Sequence, residues 1–166
     1  SLRVKRYNHN LETSESYFSQ ICRTHDFHHR LNTPRIVKAE GLELCCGGII
    51  GMGESSLQRL ELAFSIASLQ PEEVPLNILI PRGGTPLQTL PSLHPMEIVK
   101  TIAIWRFIIP KTILKLAGGR EVHLRDNERI ALKAGANGII TGGYLTTAGN
   151  NSEKDILMIR EIGLEV

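Results

Sequence analysis

Leu42-Glu43-Leu44-Cys45-Cys46-Gly47-Gly48-Ile49-Ile50-Gly51-Met52-Gly53-Glu54 is a short apolar run that carries two adjacent cysteines and breaks into a glycine-rich turn. A helical pattern begins at once, with Ser55 and Gln58 at capping-box spacing. Strand, loop and helix in that order put the loop at the carboxyl end of the strand, where α/β folds bind ligands. Side chains alternate along a strand, so Cys45, Gly47 and Ile49 share one face, and Leu44, Cys46 and Gly48 the other. One thiol is expected to face a site and the other to point away. On this stretch alone, a ligand site and a buried cysteine before a tight turn both stand.

Upstream, Leu2 to Tyr7 reads as a strand, and Asn8, Asn10 and Glu12 follow at period two. Three polar groups on one face are costly in a core but useful in a cavity, where amides donate and accept and a carboxylate can take a diol. The alternative is a polar turn that caps the next helix through Ser14. Residues 15–30 read as a connector. Its His25, His28 and His29 fit a solvated segment better than a metal site, because no second ligand cluster stands at the right spacing. A helix is expected from Thr33, with Pro34 in its first turn, to Gly41.

Downstream, Leu57, Leu60, Phe64 and Ala67 form an apolar stripe expected in the core. Leu76 to Ile80 is a short buried strand with Asn77 as its polar member, serving either as a structural amide or in substrate recognition. His94-Pro95 opens a helix with Ile98, Ile102, Trp105 and Ile109 on one face, and Pro110 ends it. Thr112 to Ala117 is strand-like, and its single charge, Lys115, must be paired or functional. Gly118-Gly119-Arg120 closes that strand. Asp126 is expected to cap a helix ending at Gly135, Ala136 to Thr141 to form a last strand, and Ser152 to cap a terminal helix. Strand and helix alternate at intervals of roughly 25–40 residues, the signature of βα units around a parallel sheet. Asn8, Asn10, Glu12, Cys45, Asn77, Lys115, Thr146 and Thr147 fall at one end of the strands, which in a (β/α) barrel is the catalytic face.

The chain has 166 residues, read as one domain over 1–166, with 42% hydrophobic and 22% charged residues, as in a globular protein with a core. A net charge of +2 and no basic run argue against nucleic-acid and membrane partners. No stretch reads as a membrane span or a signal peptide. Three cysteines, two of them adjacent, favour a reducing cytoplasm and thiols that are free, reactive or metal-bound. The chain opens on Ser1 inside a strand-like stretch, so an N-terminal portion is expected to be absent.

Several motifs resemble the biotin synthase family of radical S-adenosylmethionine enzymes. They are Tyr7-Asn8-His9-Asn10-Leu11-Glu12-Thr13-Ser14, Cys45-Cys46-Gly47-Gly48-Ile49-Ile50-Gly51-Met52-Gly53-Glu54 and Val74-Pro75-Leu76-Asn77. Further on come Gly84-Thr85-Pro86-Leu87, Ala117-Gly118-Gly119-Arg120-Glu121, Ala134-Gly135-Ala136-Asn137 and Leu145-Thr146-Thr147. They run in family order over almost the whole chain. The resemblance implies a TIM-type (β/α) barrel, of which this chain corresponds to strands four to eight. The N-terminal strands, and the CxxxCxxC loop that binds the radical-generating 4Fe–4S cluster, have no counterpart here. Completion by a missing N-terminal half is therefore expected. Related readings are a methylornithine synthase or hydrogenase maturase of similar fold, or a partial barrel without catalysis.

The implied chemistry is sulfur insertion into dethiobiotin to form biotin. A deoxyadenosyl radical from S-adenosylmethionine removes hydrogen, and an auxiliary iron–sulfur cluster donates sulfur. By the same resemblance, Asn10, Glu12, Ile49 and Ile80 hold S-adenosylmethionine, while Asn8, Asn77, Thr146 and Thr147 hold dethiobiotin. Cys45 matches an auxiliary-cluster ligand. Lys115 stands where relatives carry an arginine ligand, and Cys46 where a serine is common. These departures admit either a 2Fe–2S cluster or a variant that uses Cys45 with Cys22 or Cys46. Relatives imply a homodimer.

Overall fold

The computed structural model describes residues 4–143 and 149–166. Among these, the sheet is built from β1 (Arg6–Asn8), β2 (Glu43–Cys45), β3 (Gly48–Ile50), β4 (Glu73–Ile78), β5 (Ile113–Leu116) and β6 (Gly138–Ile139). Every pairing is parallel, in the order β1-β2-β4-β5-β6, with β3 also on β4. β2 and β3 are two parts of one run, because Cys45 pairs with Glu73 and Gly48 with Leu76 at an unchanged offset. β1 and β6 end the path without pairing to each other, which leaves the sheet an open part of a (β/α) barrel.

The helices are α1 (Glu15–Ile21), α2 (Phe27–Ala39), α3 (Ser56–Ser68), α4 (Pro95–Ile108), α5 (Arg120–His123), α6 (Glu128–Lys133) and α7 (Ser152–Glu161). They share a core with one face of the sheet: Leu44, Cys46, Ile50, Val74, Leu76, Leu114 and Leu116 pack with Leu62, Ile66, Ile98, Ile102 and Trp105. The period of two then sends the other residues of each strand to the opposite face. There the register aligns Asn8, Cys45 and Glu73 at one level, Pro75, Lys115 and Gly138 at the next, and Ile49 with Asn77 beyond them. Among the described residues no helix is long and apolar enough to cross a membrane.

Several local expectations are corrected. α2 starts at Phe27, not after Thr33: Asp26 accepts a hydrogen bond from the His29 N–H, and Pro34 lies inside the helix. Its buried stripe is Phe27, Leu31, Pro34 and Val37, so the proline serves the core. The expected stripe of α3 is also displaced. Leu57 and Phe64 are largely exposed, whereas Arg59, Leu62, Ala63 and Ile66 are buried. Arg59 hides that face from a hydrophobicity pattern; its charge is met by buried Glu54, and its carbonyl accepts a hydrogen bond from Trp105 Nε1. Asp126 sits in a 3-10 turn between α5 and α6. Asn151, not Ser152, caps α7 through the Glu153 N–H, and the last strand is only Gly138–Ile139. The capping box of Ser55 and Gln58 and the buried stripe of α4 are as expected.

Candidate functional site

Asn8 and Cys45 are register partners on β1 and β2, and Asn8 Nδ2 donates to Cys45 Sγ at 3.1 Å. Burial pushes the Cys45 thiol up, and nearby Glu73 adds to this; the Asn8 hydrogen bond and the charges of Lys115 and Arg6 pull the other way. Beside Cys45, the buried carboxylate of Glu73 accepts from Arg6 on one oxygen and from Lys115 on the other. Arg6 also bonds Glu43, at 2.9 Å from Nε. Lys115, the odd charge of its strand, is thus paired.

The chain past β1 stays in register, with His9 N–H on the Cys45 carbonyl and Leu11 N–H on the Gly47 carbonyl. Alternation therefore continues beyond the strand. Asn10 Oδ1 accepts from the Gly47 N–H at 3.0 Å. Glu12 takes a left-handed backbone, φ 70°, and its carbonyl accepts from the Ile49 N–H at 2.7 Å. Arg30 of α2 clamps this segment, with Nε donating to the Asn10 carbonyl at 2.8 Å and Nη2 to Glu12 Oε1 at 2.6 Å. Burial pushes the Glu12 carboxyl up, and Arg30 opposes that shift. Sequence reasoning missed Arg30. The available signal was the stripe of Phe27, Leu31, Pro34 and Val37, which makes residues 27–30 helical.

Asn77 bridges strands: Nδ2 donates to the Gly48 carbonyl at 3.2 Å, and Oδ1 accepts from the Gly118 N–H at 3.1 Å. Ile49 is half-buried on the level of Asn77. Ile80 lies past the end of β4 and lines a groove with Ile21, Leu79, Pro86 and Leu87. Thr146 and Thr147 lie outside the described residues.

The glycine turn is closed by Glu54, which accepts from the N–H groups of Gly51 (2.8 Å) and Met52 (2.7 Å) and from Arg59 Nε (2.7 Å). Gly51 and Gly53 supply the left-handed backbone, at φ 88° and 100°. Replacing Glu54 by alanine would orphan two N–H groups and a buried guanidinium. A loss of about 3 kcal/mol is expected in urea unfolding; a change below about 0.5 kcal/mol would refute this account of the turn.

The cysteines are dispersed. Cys46 is fully buried in the helix-side core, and burial pushes its thiol to about 12. Cys22 follows α1, with Sγ 3.4 Å from Thr24 Oγ1 and 3.3 Å from His25 Nδ1. Hydrogen bonds from Thr24 pull its thiol down. Among the described residues, no group of three or more His, Cys, Asp or Glu side chains stands close enough to hold a metal ion. Alternation turns Cys46 through the sheet, and Cys22 belongs to a helix end. His28 pairs with Glu15 and His29 with Asp26. Iodoacetamide labelling of the metal-free chain, read by mass spectrometry, is expected in the order Cys22, Cys45, Cys46, because thiolate population and access set the rate. Early labelling of Cys46 would contradict its burial.

The structure thus places Asn8, Cys45, Lys115 and Asn77 on one face of a parallel sheet, on successive levels of its register, with Asn10 bonded to Gly47 between them. The chain is 54% identical over 164 residues to a biotin synthase of Cenarchaeum symbiosum, covering 99% of this chain and 52% of that protein. It is 51% identical over 163 residues to a biotin synthase of Carboxydothermus hydrogenoformans, covering 98% and 50%. The chain spans about half the length of the curated relatives it matches.

Two solved structures share the fold. The FeFe-hydrogenase maturase HydG from Carboxydothermus hydrogenoformans has a TM-score of 0.72 at 18% identity, covering 96% of this chain and 42% of that one. An HMG-CoA lyase from Brucella melitensis has a TM-score of 0.65 at 17% identity, covering 97% and 59%. Residues 75–165, more than half of the chain, match the model of the Biotin and Thiamin Synthesis associated domain, and the chain belongs to that family.

Proposed function

We propose that this chain forms the substrate-side part of a biotin synthase, an enzyme that inserts sulfur into dethiobiotin. The observation that carries this reading is the Asn8 hydrogen bond to Cys45 Sγ on the face that also holds Asn10 and Lys115. It places an amide able to read a ureido ring directly beside a thiol able to hold iron.

The residues present fit their groups in part. Cys45 offers one sulfur ligand to an auxiliary iron–sulfur cluster, with cationic Arg6 and Lys115 nearby to offset negative charge. Asn10 and Glu12 face the nucleoside of S-adenosylmethionine. Arg30 holds one Glu12 oxygen and thereby aims the other, which suits a ribose diol. Ile49 and Ile80 give the adenine an apolar bed. Asn77, anchored on Gly48 and Gly118, keeps its second N–H for the ureido carbonyl, and Thr146 and Thr147 receive the carboxylate of dethiobiotin. When bound, the groups supply a carbon-centred radical and the sulfur atom; the chain orients dethiobiotin against Cys45 and keeps water away. The radical-generating 4Fe–4S cluster belongs to ligands outside this chain.

The test uses the full-length protein, reconstituted anaerobically with iron and sulfide and given S-adenosylmethionine and dethiobiotin. Biotin is expected by mass spectrometry. Cys45→Ala is expected to cleave S-adenosylmethionine without making biotin. Biotin formed by Cys45→Ala at the unsubstituted rate would overturn the reading.

A further inference from the structure

A lysine between Leu114 and Leu116 must find a partner, because both neighbours are buried and the strand is interior. The structure shows how its side chain is led there. Lys115 pairs with Pro75 on one side and with Gly138 on the other. A Cβ on Gly138 would stand 2.8 Å from Lys115 Cγ, so that glycine leaves the room through which the lysine stem passes. The head then reaches Glu73, one level down the sheet, and bonds Oε2. Arg6 approaches the same carboxylate from β1 and bonds Oε1. Glu73 is buried and has both oxygens engaged by cations, and its own strand partner is Cys45.

We propose that Glu73 is a positioning residue that locks Lys115 as a fixed cation on the Cys45 face, so that Lys115 serves an anionic group held at Cys45 by charge and hydrogen-bond donation and not as one of its ligating atoms. An ammonium bonded to a carboxylate has no lone pair to give a metal, but it offsets negative charge at short range. The inference rests on the proposed function only for the identity of the group at Cys45; the Glu73–Lys115–Gly138 arrangement stands without it.

The test has two arms, both on the full chain carrying 15N-labelled lysine. In the metal-free chain, NMR of lysine Nζ is expected to show one exchange-protected ammonium, which E73Q abolishes and E73D retains. G138A, which crowds the stem and leaves the carboxylate in place, is expected to shift or broaden the same signal. If E73Q fails to fold, G138A decides this arm. A signal unchanged in every variant that folds, or a neutral amine at Lys115 in the unsubstituted chain, overturns the proposal. Unfolding of E73Q, K115M and the double variant is expected to show a coupling of about tenfold in the equilibrium constant, and additivity overturns it. In the second arm the chain is reconstituted with iron and sulfide and examined by electron–nuclear double resonance. No 15N coupling from Lys115 is expected, and a coupling that K115M removes overturns the proposal. Absence of bound iron would overturn the cluster reading, and the NMR arm would still decide the lysine.

Discussion

Replacing Arg120 by methionine is expected to destabilise the chain by about 3–5 kcal/mol. Arg120 has no exposed surface. It donates to Glu128 Oε2 at 2.8 Å, to Asp155 Oδ2 at 2.5 Å and to the Ile140 carbonyl at 3.2 Å from Nη2. One guanidinium thereby ties α5 to α6, to α7 and to the chain leaving β6. Both carboxylates are almost wholly buried, so removing the arginine strands two negative charges in a medium that cannot hydrate them. Burial already pushes the Glu128 carboxyl up, with Asp155 adding to it and Arg120 opposing.

In R120M the opposing positive charge is gone, and the folded state binds protons that the unfolded state releases. The deficit is therefore expected to be full above the raised Glu128 carboxyl pKa and to shrink as pH falls from there to the ordinary carboxylate range. Urea unfolding should show a lower midpoint at unchanged slope. The triple variant R120M/E128Q/D155N should recover most of the loss, because the stranded charges go with the arginine. A loss under about 1 kcal/mol for R120M, or no recovery in the triple variant, would refute the role given to this cluster.

Gly47→Ala is expected to cost about 3 kcal/mol or more, the upper end for forcing atoms into a packed interior. A Cβ there would stand 1.9 Å from the Pro75 carbonyl oxygen and 2.9 Å from Pro75 Cδ, and neither backbone nor ring can rotate away. The strands would have to separate where Asn10 Oδ1 receives the Gly47 N–H, two residues from Cys45. The variant should therefore lose stability and also alkylate faster at Cys45. Gly83→Ala is the control: a Cβ there meets nothing within 4 Å, and a near-neutral change is expected. A Gly47→Ala chain as stable as the control would show that the strands part more easily than this packing implies.

The site's face was legible from residue spacing. Parity along a strand is local geometry: it put Asn8 and Asn10 on one side of their own strand and parted Cys45 from Cys46 before any fold was known, and strand register then set Asn8 beside Cys45. Family motifs added roles that no spacing carries. The helical faces were less legible. In α3 the buried face includes Arg59, so apolar periodicity selected Leu57 and Phe64, which the fold leaves exposed. In α2 the proline read as a start signal sits mid-helix, and the true start hid Arg30. Arg120 read as a turn residue and is the centre of a buried ion cluster.

By itself, the order of residues determined the strand–helix alternation, the division of each strand into two faces and the membership of the chain in its family, because these depend on neighbours within a few positions or on motif identity. Only the tertiary structure decided that Lys115 belongs to Glu73, that Arg30 holds Glu12 and that Asn77 spans Gly48 and Gly118. Those partners meet through strand register and helix docking across long separations, and a charge shows in the sequence while the opposite charge that burial will bring to it does not.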